Sequence, residues 1–326
     1  MKSFRISIIL LSILLPLLSI SQGCNSNSTE PSDSDTTHFV IKPQHDIPWP
    51  TLGQTAWPKA LHDAQCTGRS SFSGPANGRI KTTILLGAFQ TDPVMGQDSV
   101  FYIVADSSLL AYSLNGTLIW KSYIGVFAGG AMNYSPPMII GNGIILVGTN
   151  NGISAYNKNG TILWQTQLNG GVLLKSCAIG LDGNIYTISS AGTLYAINQS
   201  GNIIWQCNAP VGYFIWGEMT TICFSPDGSR FYVGGSTAEQ SLYVLNTNGD
   251  ILRSDSIGGR QLGAISVDVD GNVYSYFVQD LVSISPTGNV RWRVPDAGSN
   301  WNVVIDPNGN IAYLSKGKLI LVDNDG

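Results

Sequence analysis

The sequence predicts an all-β fold, a β-propeller of four-stranded antiparallel blades. Three observations predict it. A five-residue phrase recurs: "GTLIW" at 116–120, "GTILW" at 160–164 and "GNIIW" at 201–205. Its leading glycine returns at 116, 160, 201, 249, 288 and 326, a period of roughly forty residues. The chain also carries 37 glycines and only 12% charged residues, a turn-rich composition with a nearly neutral surface.

The first elements are not strands. Met1–Arg5 holds two positive charges, and Ile6–Ile20 is almost wholly apolar but interrupted by serines and Pro16. Such a run is short for a bilayer span and suits a cleaved signal peptide over 1–23. "SISQGC" then resembles the lipobox of bacterial lipoproteins, with Cys24 as the acylated residue; Ser21 stands where that motif prefers leucine. The polar, low-complexity stretch 24–48 reads as a disordered tether. Its root-mean-square reach is about 25 Å over ~20 residues. Asn25 follows the cysteine with no aspartate sorting signal, which by resemblance favours the outer membrane over the inner. A lead-in over 49–78 precedes the propeller at 79–326.

Residues 175–207 show the grammar of one blade. "SCAIG", "IYTIS", "TLYAI" and "IIWQC" are strand-length apolar runs. They are parted by Asp182-Gly183, Ala191-Gly192 and Gln199-Ser200-Gly201. Asp182-Gly183 reads as a type I′ turn with both central residues at positive φ. Comparable turns stand at Asn142-Gly143, Asp227-Gly228, Asp270-Gly271 and Asn308-Gly309. A single blade cannot bury both of its faces, so neighbouring blades must stack.

Blade one starts near Phe89, which leaves "RIKTTILLG" (79–87) as an extra strand. The last unit supplies three strands and stops before a fourth. The expectation is therefore six blades, with 79–87 pairing into the last one to remove an open edge. The alternative is a chain that once continued to seven or eight blades.

The phrase "LYAIN-x-x-G-x-x-x-W" resembles the repeat of pyrroloquinoline-quinone (PQQ)-like propellers, and "WPKALHDAQCTGRS" (57–70) resembles the lead-in of their secreted and lipid-anchored members. The resemblance implies the fold and points to the lipid-anchored, non-enzymatic branch. It does not imply the quinone, which many members of the family lack. The propeller lipoproteins of outer-membrane barrel assembly supply the nearest functional analogy.

Trp120, Trp164, Trp205 and Trp292 hold one register of the repeat, so they are read as wedges between blades and not as a ligand stack. Arg253 takes that place in the fourth blade, where the contact is expected to be looser or salt-bridged. Loops entering the first strands should crowd one mouth of the channel, and their residues vary in chemistry between blades. The candidate partner or ligand residues there are Phe89, Gln90, Asn133, Tyr134, Lys175, Trp216, Glu218, Arg260, Gln261, Asn300 and Trp301.

Enzymatic chemistry finds little support. His38, His45 and His62 all precede the propeller and form neither a triad nor a metal cluster. No two cysteines adjoin, unlike the cysteine pair of quinoprotein dehydrogenases of similar fold. Cys66, Cys177, Cys207 and Cys223 have no staple or knuckle spacing and read as small buried residues. "DVDGN" (268–272) mimics a calcium loop but lacks its glutamate. Neither a cofactor nor a metal is expected. The net charge of −4 leaves no basic footprint for nucleic acid. What remains is a lipid-anchored scaffold for an envelope protein or peptide, touching the membrane through its anchor alone. The alternative is a quinone- or sugar-binding module in the channel.

Overall fold

The computed structural model describes residues 43–74, 76–87, 90–125, 135–171, 177–189, 191–208, 221–235, 241–298 and 302–323. All belong to the second of two compact units, Val40–Gly326. The signal segment, Cys24 and the tether before residue 43 lie outside the described residues.

Six antiparallel sheets follow one another along the described chain, five of four strands and one of three. The first holds β1 (Val94–Met95), β2 (Val100–Ala105), β3 (Ser108–Ser113) and β4 (Leu118–Tyr123). The second holds β5 (Met138–Ile139), β6 (Ile145–Thr149), β7 (Gly152–Tyr156) and β8 (Ile162–Gln167). The third holds β9 (Ala178–Ile179), β10 (Ile185–Ile188), β11 (Leu194–Ile197) and β12 (Ile203–Cys207). The fourth holds β13 (Cys223–Phe224), β14 (Arg230–Gly234), β15 (Leu242–Asn246) and β16 (Ile251–Asp255). The fifth holds β17 (Ser266–Val267), β18 (Val273–Phe277), β19 (Asp280–Ile284) and β20 (Val290–Val294). The last holds β21 (Val304–Ile305), β22 (Ile311–Ser315) and β23 (Lys318–Val322). Each is a meander in sequence order, the architecture of a propeller blade.

The middle strands are buried on both faces, so they read as continuous apolar runs. Apolar clusters join the sheets in sequence: Val104 and Leu109 with Val147, then Ile188 with Val233, Val244 with Val282, and Tyr276 with Tyr313. All five four-stranded sheets share one further feature: the third and fourth strands slip register by a bulge just before the position of the repeated tryptophan, which Arg253 takes in the fourth sheet. The bulge re-aims that side chain towards the next sheet.

Two expectations are corrected here. The first-hairpin turns are not type I′. In the third sheet the Gly183 N–H donates to the Gly180 carbonyl (3.0 Å), and Gly180 N–H to the Asn184 carbonyl (2.9 Å). Only Gly183 is left-handed, at φ +79°, while Asp182 stays at negative φ. This is a type I turn with a glycine bulge, and Asp-Gly fits it as well as a type I′ turn because one left-handed residue is enough. Two left-handed central residues occur instead at Asp106-Ser107 and Lys316-Gly317, between second and third strands.

The closing strand is the second correction. Residues 79–87 form no strand, and the last sheet keeps three strands among the described residues. The segment packs by side chains against the first sheet instead. A Cβ on Gly116 would lie 2.6 Å from Thr82 Cγ2, and Leu86 covers Ile103, Ala105 and Leu110. That contact half-buries Ile84 and Leu86 while Ile80 and Leu85 stay exposed, and Leu314, Leu319 and Leu321 of the last sheet are exposed.

Candidate functional site

Propeller ligand sites are expected at the axis, where the short first strands stand. Here the lead-in occupies that place. The backbone N–H of the second residue in five first strands donates to a lead-in carbonyl. Met95 donates to Trp57 (2.8 Å), Ile139 to Pro58 (2.8 Å), Phe224 to Ala64 (2.9 Å), Val267 to Gln65 (2.9 Å) and Ile305 to Thr67 (3.0 Å). The remaining sheet is reached by side chains: the Trp49 indole donates to the Ile179 carbonyl (2.7 Å), and the Thr51 hydroxyl to the Gly180 carbonyl (2.8 Å). The lead-in therefore takes an inner-strand N–H in five sheets and two carbonyls of the sixth, groups that a channel ligand or water would otherwise take.

The lead-in reaches so many sheets by winding tightly. Leu61, His62 and Cys66 hold φ of 62°, 71° and 56°, costly for residues with a Cβ. Lys59 fixes this loop. Lys59 is 5% exposed, and its ammonium donates to the carbonyls of Ala60 (2.9 Å) and Asp63 (3.1 Å) and lies 3.3 Å from Cys66 Sγ. Burial pulls the Lys59 pKa down, but the charges of Cys66, Cys223 and Asp63 outweigh it and leave it raised. The Asp63 carboxylate accepts from the Thr67 N–H (2.9 Å) and hydroxyl. An open groove of about 940 Å³ runs beside the lead-in, lined in part by Trp49, Pro58, His62, Phe72, Met95 and Gln97.

Phe89, Asn133, Tyr134, Lys175, Trp216, Glu218, Asn300 and Trp301 lie outside the described residues. Gln90 and Arg260 are exposed. Gln261 is not a surface group: it is 1% exposed, donates to Ser275 Oγ (2.8 Å) and the Gly263 carbonyl, and takes the Gly235 carbonyl through its N–H. Its role is packing between the fourth and fifth sheets, and a polar side chain in a loop gave no signal of that.

The repeated tryptophans bind the chain to itself. Trp120 donates its indole N–H to Lys158 O (2.8 Å), Trp164 to Gln199 O (2.8 Å) and Trp205 to Thr247 O (3.0 Å). Each carbonyl stands two residues before the next sheet's phrase glycine. Each ring lies against that glycine: a Cβ on Gly160, Gly201 or Gly249 would come within 3.1 Å of it. Trp292 packs at a tilt against Tyr274, ring centroids 5.8 Å apart, as Trp120 does against Tyr102. Arg253 fills the same seat, donating to Pro286 O (2.9 Å) beside Gly288 and pairing with Asp255 at 2.7 Å.

The Asp268 carboxylate of the calcium-like stretch is consumed by its own turn. It accepts from the N–H of Asp270 (3.0 Å) and Asn272 (2.8 Å) and from the Tyr274 hydroxyl (2.8 Å). Among the described residues no three His, Cys, Asp or Glu side chains are grouped to hold a metal.

The family model described as outer membrane protein assembly factor BamB matches residues 51–212 and 105–283, so the match takes in part of the lead-in and most of the sheets. The chain belongs to this family. No curated protein matches it in sequence. Among solved structures, BamB from Moraxella catarrhalis is 17% identical over 74% of this chain and 76% of that one, with a TM-score of 0.52. Virginiamycin B lyase from Staphylococcus aureus is 15% identical over 71% and 83%, with a TM-score of 0.52. A streptogramin B lyase is 12% identical over 73% and 84%, with a TM-score of 0.53. At these identities the likeness is one of fold, shared by assembly factors and lyases alike.

Proposed function

We propose that this BamB-family chain is a non-catalytic scaffold, anchored through lipid on Cys24, that binds a protein or peptide at the bacterial envelope. The outer membrane is the favoured location. The observation that carries the reading is the filled axis: in five of the six sheets the lead-in takes an inner N–H that a channel ligand would need. Binding is then left to the mouth and the outer rim. The rim is suited to it, because the fourth strands of the first four sheets expose paired apolar residues, such as Ile203 with Ile204 and Ile251 with Leu252. The family's name supports a partner in outer-membrane protein assembly.

Photo-crosslinking tests the proposal. A photoreactive residue is placed at Ile204 and Leu252 on the rim and at Gln90 and Arg260 near the mouth, in cells producing the full chain. Crosslinks to one envelope protein are expected from at least one surface, and they should weaken when Cys24→Ala releases the chain from the membrane. Absence of crosslinks from every position would count against a scaffold. Stoichiometric retention of PQQ after incubation with PQQ and Ca²⁺, read by absorbance, would replace the proposal with the channel-ligand alternative.

A further inference from the structure

One buried constellation is left unused by the scaffold role. Lys59, Cys66 and Cys223 meet where the lead-in crosses the fourth sheet. Residues 64–66 run beside 222–224: the Phe224 N–H donates to the Ala64 carbonyl (2.9 Å), and Cys66 Sγ lies 3.8 Å from the Ile222 carbonyl. Cys223 is the residue between those two contacts, which sets it beside Cys66. Its sulfur also lies 2.9 Å from the Ile265 carbonyl. Both cysteines are 0% exposed and share one core cluster.

We infer that Cys66 and Cys223 are a redox pair whose disulfide staples the lead-in to the fourth sheet. Lys59 supplies the activating charge: its ammonium sits 3.3 Å from Cys66 Sγ, the arrangement that favours thiolate over thiol. Burial pushes the Cys66 thiol up, but the neighbouring Cys223 thiol and the Lys59 charge overcome it and hold it below its ordinary value. Cys223 is pushed well above its own, first by burial. Cys66 is thus the attacking sulfur and Cys223 the resolving one.

The oxidant is a disulfide, with oxidised glutathione as the probe. The Cys66 thiolate attacks one glutathione sulfur, forming a mixed disulfide and releasing the other glutathione as thiolate. Cys223 gives up its proton and attacks Cys66 Sγ, forming the protein disulfide and releasing the second glutathione. Two protein thiols lose two protons and two electrons, and one glutathione disulfide becomes two glutathione thiols. Because both sulfurs are buried, the exchange belongs to folding or to opening of the lead-in.

The test refolds the full chain in oxidised glutathione, then unfolds it in alkylating agent and maps its peptides. The expected result is a mass lower by two hydrogens and a single Cys66–Cys223 crosslinked peptide, which a reducing agent splits. The melting temperature of wild type should fall on reduction, whereas that of a Cys66→Ser Cys223→Ser variant should not. Recovery of both cysteines fully alkylated would overturn the inference, as would pairing with Cys177 or Cys207 or an oxidative Lys59–Cys66 crosslink in place of the disulfide. The wild-type peptide map decides the matter even if the serine variant fails to fold.

Discussion

If the tryptophan of one sheet is seated on the phrase glycine of the next, the two positions must be energetically coupled. Trp164 and Gly201 offer the cleanest pair. Trp164→Ala removes a half-buried ring and the 2.8 Å bond to Gln199 O. A fully buried aromatic costs about 3–5 kcal/mol to truncate, so partial burial plus the bond gives about 3 kcal/mol. Gly201→Ala carries two penalties. Its φ of +87° costs an L-residue about 1 kcal/mol, and its Cβ would lie 2.8 Å from Trp164 Cδ2, an overlap worth about 2 kcal/mol. Removing the ring first relieves the overlap and leaves only the φ penalty. The double variant should then lose about 4 kcal/mol instead of the ~6 kcal/mol of additive losses, a coupling of about 2 kcal/mol. Equilibrium denaturation of the four proteins measures it. Additivity within about 0.5 kcal/mol would refute the seating.

Other consequences follow from Arg253 and Lys59. Arg253→Trp restores the repeated phrase but leaves the 9%-exposed Asp255 without its arginine, so it should destabilise by about 3 kcal/mol. Adding Asp255→Thr, the residue of the equivalent Thr166, should bring the melting temperature back close to wild type. In reduced protein, Cys66 has a folded pKa below the thiol value of 9.0, so its stabilisation is present above 9.0 and lost as pH falls through the folded value. Lys59 is raised above 10.5, so its contribution stays constant below that pH. The stability gap between wild type and Cys66→Ser should therefore widen from neutral pH to pH 9, and a flat gap would contradict the ion pair.

Repeat, strand grammar and blade boundaries were legible because each turn needs a left-handed glycine at a fixed offset and each wedge an aromatic four residues later. The turn type was not, since Asp182-Gly183 serves a bulged type I turn and a type I′ turn equally well. The alternation of 79–87 announced an apolar face, but not which sheet would cover it. The lead-in was the least legible element. Its work is done by carbonyls of Trp57, Pro58, Ala64, Gln65 and Thr67, and a carbonyl leaves no mark on the identity of its residue. Lys59 was the available clue: a lysine between Pro58 and an apolar pair, in a chain with so few charges, is a candidate for burial. Gln261 misled for the converse reason, a polar side chain that is buried and bonded to Ser275 of the sheet it leads into.

The central claim is that the chain fills its own axis. Native-state hydrogen exchange at the amides of Met95, Ile139, Phe224, Val267 and Ile305 tests it most directly, because the lead-in carbonyls are their acceptors. The account predicts that all five exchange together, only by opening with a free energy near that of global unfolding. Fast exchange at these five amides, with the middle strands still protected, would show an open axis and contradict it.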